Sequence, residues 1–256
     1  MPSGEPTPVA TTPESLAISA VVPVKNEAEN ILPLVTEIDA ALRETGADYE
    51  IVYVDDGSDD VTPQKLKETQ QAFPALRIIT HSNSCGQSRA VATGVRYARG
   101  RMIVTLDGDG QNVPADIPAM WGKLDGAEDL MVAGRRMKRR DVWIKRVSSR
   151  WANRIRARLL KDDTPDTGCG LKLFPRDAFM ELPYFNHMHR FLPALMQRHG
   201  YRVINHDVQH RFREHGTSKY GTLDRLFVSI FDIAGVMWLQ RRISRPDTIH
   251  DSLQAD

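Results

Sequence analysis

Short apolar runs alternate with helically spaced stretches through the first half of the chain. Ile18–Val24 (ISAVVPV) is continuous and rich in β-branched residues, the pattern of a strand buried on both faces. From Glu27 to Arg43 the apolar positions Ile31, Leu34, Val35, Ile38, Ala41 and Leu42 recur at helical spacing. Tyr49–Val54 predicts a second strand, 62–72 a helix, Leu76–Thr80 a third strand, Gln87–Ala98 a helix, Met102–Leu106 a fourth strand, 115–124 a helix and Leu130–Ala133 a short fifth strand. Such alternation implies an α/β fold, a mostly parallel sheet flanked by helices on both faces, with right-handed crossovers. Ligands of such sheets lie beyond the carboxyl ends of the strands. The second half is less regular and is expected to add an acceptor-binding layer.

Composition narrows the class. The chain has 256 residues, 41% hydrophobic and 26% charged, with a net charge of +1. That fits a globular domain and argues against a nucleic-acid binder. Two cysteines, Cys85 and Cys169, make neither a disulfide scaffold nor a zinc cluster and point to a reducing cytoplasm. Residues 1–15 lack a basic start and an apolar run, so they read as a flexible tail rather than a secretory signal. Phe227–Leu239 falls short of the ~20 apolar residues of a spanning helix and carries Asp232, so a buried or interfacial helix is expected. One domain over 16–242 is expected, with halves 16–134 and 135–242, then a polar tail over 243–256.

Asp107-Gly108-Asp109-Gly110-Gln111 follows an apolar strand directly. Two carboxylates one residue apart, with an amide oxygen beyond, can converge on a hard divalent cation such as Mg²⁺ or Mn²⁺. Asp and Gly are equally turn residues; the place at a strand's carboxyl end, opposite Asp55-Asp56-Gly57-Ser58, is what favours a cation. The Asp55–Ser58 segment could bond a nucleoside or serve as a turn. No dinucleotide fingerprint and no P-loop occurs.

Six segments together resemble a known family: VVPVKNEAEN (21–30), VDDGSDD (54–60), DGDGQ (107–111), DTGCGLK (166–172), HRFLPAL (189–195) and REHGTSKY (213–220). In this order they are similar to inverting family 2 glycosyltransferases of the GT-A, Rossmann-like fold. Within that family they resemble the dolichol- or polyprenyl-phosphate mannose synthase group. The resemblance implies that Pro23, Glu27, Asp55 and Asp56 line the nucleotide pocket, and that Asp107, Asp109 and Gln111 hold the metal and donor diphosphate. It places Arg136 near the reacting phosphates, with Arg135 as competitor, and Thr167, Cys169 and Lys172 beside an acceptor phosphate. Arg213, Ser218 and Lys219 would close over the donor diphosphate. It implies GDP-mannose as donor, with a UDP-sugar as the alternative, and polyprenyl phosphate as acceptor. Two departures stand out: Cys169 replaces the Ser of many relatives, and no Arg precedes it in the loop where some relatives place one.

Relatives that glycosylate a hydroxyl carry a Glu-Asp pair in the second half, whose Asp is the base. The sole Glu-Asp here is Glu128-Asp129, too close to the metal motif. A hydroxyl needs such a base and a phosphate dianion does not, so a lipid phosphate is favoured. Residues 135–161 hold twelve Lys/Arg against Asp141, a local +11, with Val147, Trp151, Ile155 and Leu159 as an apolar stripe. That suits an anionic membrane surface, or else a helix packed on the core with a solvated basic face. Peripheral attachment at the cytoplasmic membrane face follows, with a separate membrane protein as a further partner. His187 and His189, two residues apart, read as structural or phosphate contacts rather than metal ligands, and Cys85 as structural. The rival readings are a soluble transferase acting on a sugar hydroxyl and a non-catalytic nucleotide-sugar-binding scaffold.

Overall fold

The computed structural model describes residues 16–137, 160, 164–212, 222–242 and 244. Its strands are β1 (Ile18–Val24), β2 (Tyr49–Asp55), β3 (Leu76–Thr80), β4 (Met102–Thr105), β5 (Leu130–Arg136), β6 (Lys172–Pro175) and β7 (Arg202–Val208). They form one sheet in the order β3-β2-β1-β4-β6-β5-β7. All pairings are parallel except those of β6, which runs antiparallel to both β4 and β5.

The helices are α1 (Ile31–Glu44), α2 (Thr62–Ala72), α3 (Gln87–Tyr97), α4 (Ile117–Gly122), α5 (Arg176–Met180), α6 (Leu192–Arg198) and α7 (Thr222–Gln240). The side-chain alternation of a strand splits the core into two layers. Ile18, Ala20, Val22 and Val24 of β1 pack with Ile31, Leu34 and Ile38 of α1 and Leu66 of α2. Val21, Val52 and Val54 face the other way, onto Val91 and Val95 of α3 and the second-half residues Phe174, Phe179 and Leu195. The expected two-sided covering is thus present, and the second half supplies much of one side.

Three expectations need correction. The helix read from Glu27 starts at Ile31, because Asn26 takes a positive φ of 56° and residues 28–30 form a 3₁₀ turn. Asn26 N–H donates to Ser58 Oγ (2.9 Å) and Glu27 N–H to Thr62 Oγ1 (3.0 Å), tying this entry loop to the end of β2. The strand read as Leu130–Ala133 continues to Arg136, since β7 pairs along it from Leu130 to Arg136. And β6 and β7 extend a sheet that the sequence pattern left at five strands.

No described helix is long and apolar enough to cross a membrane. Along the last turns of α7, Val236 is fully buried while Phe231 and Trp238 are 76% and 58% exposed.

Candidate donor and metal site

The predicted acids gather at the carboxyl edge, as a parallel sheet dictates. Beyond β4, Asp107 N–H donates to Asn112 Oδ1 (2.8 Å), and Gln111 N–H to Asp109 Oδ1 (3.2 Å), closing residues 107–112 into a tight turn. Gly110 occupies its positive-φ position at 73°. Gln87, the first residue of α3, donates its amide to Asp107 Oδ1 (2.7 Å). On the other side the chain passes so close at Gly170 that a Cβ there would stand 2.3 Å from Asp107 Oδ2.

Burial, and then the charge of Asp109, push the Asp107 carboxyl above its usual range, while Lys172 and Arg136 pull the other way. Asp107, Asp109 and Asp166 set three carboxylates against these two cations, leaving negative charge over. The donor atoms are all oxygens, and the residual repulsion is of the kind a hard divalent cation relieves. The residues therefore fit Mg²⁺ or Mn²⁺ at Asp107 and Asp109. Gln111 contributes its backbone to the turn, its C=O accepting from Arg211 N–H (3.0 Å).

Of the residues expected to line the nucleotide pocket, Pro23 lines a small cavity together with Gln87, Asp107, Lys172 and His189. Glu27 Oε2 accepts from Asn30 Nδ2 (2.7 Å). Asp55 is buried; its Oδ1 accepts from Ser58 N–H (3.0 Å), and its buried Oδ2 has no hydrogen-bond partner among the described residues. Asp56 turns instead into the β3–α3 loop. Its two oxygens accept from Cys85 N (2.9 Å), Gly86 N (2.8 Å) and Ser84 Oγ (2.8 Å), and Oδ1 faces His81 Nδ1 at 2.7 Å. Burial pushes this carboxyl up, but these donors outweigh it and hold the group below its usual range.

Among the residues expected beside the acceptor phosphate, adjacent residues of β5 diverge. Arg135 reaches out to Asp207 of β7 (2.9 Å). Arg136 is largely buried and grips Asp166 with Nε and Nη2, both at 2.6 Å, so the β5 end and the 166–172 loop are clamped together. Thr167, Cys169 and Lys172 are all buried. The Lys172 ammonium donates to the Cys169 carbonyl, and burial pushes it below the usual lysine range while Cys169 and Asp107 oppose. Burial also pushes the Cys169 thiol up, so it is no nucleophile. His189 lies 2.6 Å from Ser88 Oγ through Nδ1, and burial drives its pKa down to about 3. His187 pairs with Asp232 (3.1 Å); the two histidines do not converge.

Glu128-Asp129 precedes β5 and so stands at the opposite sheet edge, in the wall of a cavity of about 820 Å³ with Trp121 and Tyr201. Asp129 there binds Arg202 (2.9 Å). Arg213, Ser218 and Lys219, and the basic stretch from 138 to 159, lie outside the described residues. Gln87, Asn112 and Asp166 were not singled out from the sequence. Asn112 and Asp166 sit beside or within quoted motifs, whereas Gln87 carries no sequence signal, since its partner lies 20 residues away.

Comparison with known proteins adds names to this geometry. The chain is 36% identical over 244 residues to the dodecaprenyl-phosphate galacturonate synthase of Rhizobium johnstonii, covering 94% of this chain and 72% of that protein. It is 33% identical over 218 residues to the undecaprenyl-phosphate 4-deoxy-4-formamido-L-arabinose transferase of Edwardsiella ictaluri, covering 84% and 66%. Among solved structures, mannosyl-3-phosphoglycerate synthase of Rubrobacter xylanophilus superposes with a TM-score of 0.66 at 14% identity, over 94% of this chain and 80% of that one. A mannosyltransferase of Pyrobaculum calidifontis, solved with GDP-Man and Mn²⁺, gives 0.61 at 19% identity, over 94% and 69%. These two likenesses share the GT-A fold. The model of glycosyl transferase family 2 matches residues 19–183, and with the acids at the end of β2 and just beyond β4 at the sheet edge this places the chain in that family.

Proposed function

We propose that the chain moves a sugar from a nucleotide-sugar donor to a polyprenyl phosphate, with inversion at the anomeric carbon, at the cytoplasmic face of a membrane. The observation that carries this reading is one sheet edge with two chemistries: the Asp107–Asp109 turn, suited to cation and diphosphate, beside the buried Lys172 amine and the Arg136–Asp166 clamp. The names of the two relatives support the acceptor. The distance of Glu128-Asp129 from this edge agrees with it, because an acceptor dianion needs no base.

An acceptor phosphate oxygen attacks the anomeric carbon in line while the nucleoside diphosphate leaves. When bound between Asp107 and Asp109, a divalent cation supplies Lewis acidity toward that leaving group. Gln87 and Asn112 hold Asp107 in place. Asp55 Oδ2, which has no partner among the described residues, offers a carboxylate oxygen to a base or ribose donor. Lys172 and Arg136 set the potential on the acceptor side, and the family motif assigns Arg213, Ser218 and Lys219 to the diphosphate. Positioning and electrostatics do most of the work.

For the sugar, the motif resemblance favours mannose from GDP-mannose, and the 36% identical relative favours galacturonate. The test is a panel of labelled nucleotide sugars with polyprenyl phosphate, with and without Mg²⁺ or Mn²⁺, scored by extraction into organic solvent. Label should enter the organic phase with one donor and only when cation and lipid phosphate are both present. Transfer to a water-soluble sugar hydroxyl instead would sink the reading in favour of its soluble rival.

A further inference from the structure

Apart from the Asp107–Asp109 turn, the loop joining β3 to α3 folds back over the end of β2 and brings together three donor atoms of different kinds. An Asp56 carboxylate oxygen, a His81 ring nitrogen and Cys85 Sγ lie within 4.8 Å of one another. Thiolate sulfur, imidazole nitrogen and carboxylate oxygen form the donor set of a borderline cation of the zinc class, whereas the all-oxygen turn suits a hard one. The surrounding contacts have the form of an outer shell. Backbone N–H groups of Cys85 and Gly86 and the Ser84 hydroxyl pin the Asp56 carboxylate at 2.8–2.9 Å. His81 presents Nδ1 to Asp56 Oδ1 (2.7 Å) and Nε2 to Thr93 Oγ1 (3.0 Å). A ligating histidine needs an acceptor for its other N–H, and Thr93 stands where that acceptor belongs. Cys85 is exposed, so ions have access and a fourth position opens to water.

We infer that Asp56, His81 and Cys85 bind a zinc-class cation, with Thr93 orienting His81. The inference goes beyond the transferase reading and does not depend on it. On binding, the Cys85 S–H bond breaks, its proton passes to solvent, and the sulfur lone pair forms the bond to the cation. The His81 proton leaves Nδ1 and one returns to Nε2, where Thr93 Oγ1 accepts its hydrogen bond and the Nδ1 lone pair turns to the cation. Asp56 keeps its three bonds from the loop and gives Oδ1 to the cation in place of His81. One proton is released per cation. Because α3 begins with Gln87, a cation here braces the helix end that holds Asp107.

Co²⁺ reports the site directly. The full chain, reduced with a phosphine, is titrated with Co²⁺ and then with Zn²⁺ as competitor, following the sulfur-to-cobalt charge-transfer band and proton release with a pH indicator. Wild type should show a band of one equivalent, displaced by Zn²⁺, with one proton released. Cys85→Ser, on an exposed loop, should keep the metal-free melting temperature and lose the band. Thr93→Val should weaken Co²⁺ binding about tenfold. Asp109→Asn should keep the band, which separates this site from the cation of the transferase reading. Absence of a band in wild type, its survival in Cys85→Ser, or its loss in Asp109→Asn would overturn the inference.

Discussion

Gly170→Ala probes the site with a single methyl group. Gly170 has no positive φ, so alanine leaves the backbone unstrained. Its Cβ would stand 2.3 Å from Asp107 Oδ2, 2.4 Å from Cγ and 2.6 Å from Oδ1. Ordinary carbon–oxygen contacts are about 3.3–3.6 Å, so the carboxylate must retreat by roughly 1 Å. Catalytic groups tolerate about 0.5 Å, and a 1 Å misplacement costs on the order of 10²-fold in rate. That corresponds to about 2.7 kcal/mol of barrier. The displaced atoms are the end of a side chain, so the folding cost should sit near the low end of overpacking, about 1 kcal/mol. For a chain of this size that is roughly 2–4 °C of melting temperature. Turnover of labelled donor, Mn²⁺ titration and calorimetry together read the two effects apart. Gly168→Ala, whose methyl would stand 3.4 Å from Arg136 Nη2, is the neighbouring control and should stay near wild type. Normal turnover and cation affinity in Gly170→Ala would refute the assignment of Asp107; a stability loss several times larger would show that the methyl acts on the fold instead.

Asp109→Asn keeps the volume and removes a charge, so it should lower turnover on the order of 10²–10³-fold with an unchanged melting temperature, and excess chelator should do the same to wild type. Asp166→Asn leaves the Arg136 guanidinium largely buried without its carboxylate and should cost about 3–5 kcal/mol in urea unfolding; a double-mutant cycle with Arg136→Met should show strong coupling between the two. His189 stays neutral in the fold down to about pH 3, whereas the unfolded chain's histidine takes a proton below about 6.5. Its folded pKa is depressed, so the unfolded state binds more protons and stability falls as pH drops between these values. His189→Asn should make unfolding at pH 5 less acid-sensitive than in wild type, by about 2 kcal/mol relative to pH 7.

The first three strands were legible almost to the residue, because continuous β-branched runs such as Ile18–Val24 have one reading when bounded by turns. β7 escaped because its run Arg202–Val208 mixes polar and apolar residues on a half-exposed edge strand. β6 escaped because four residues with a lysine and a proline carry no period. The end of β5 was misread for a similar reason: Gly134-Arg135-Arg136 looks like a turn until β7 is there to pair with it. At the site, Asp107 and Asp109 could be placed because strand ends are a sequence feature. The Gln87–Asp107 and His81–Asp56 contacts could not, since they form across 20 and 25 residues and depend on how loops meet.

The reversed direction of β6 has an architectural consequence. A parallel strand would enter the sheet at the amino edge and deliver its preceding loop there. Entering in reverse, β6 begins beside the end of β4, with Lys172 opposite Thr105 and Ala133. The end of β5 at Arg136 and the start of β6 at Lys172 therefore lie on the same rim of the sheet. Lengthening such a connection costs only about 0.6 kcal/mol of closure entropy per doubling. The connection between β5 and β6 can thus change in length while the strands that carry Asp55 and lead into Asp107 stay where they are.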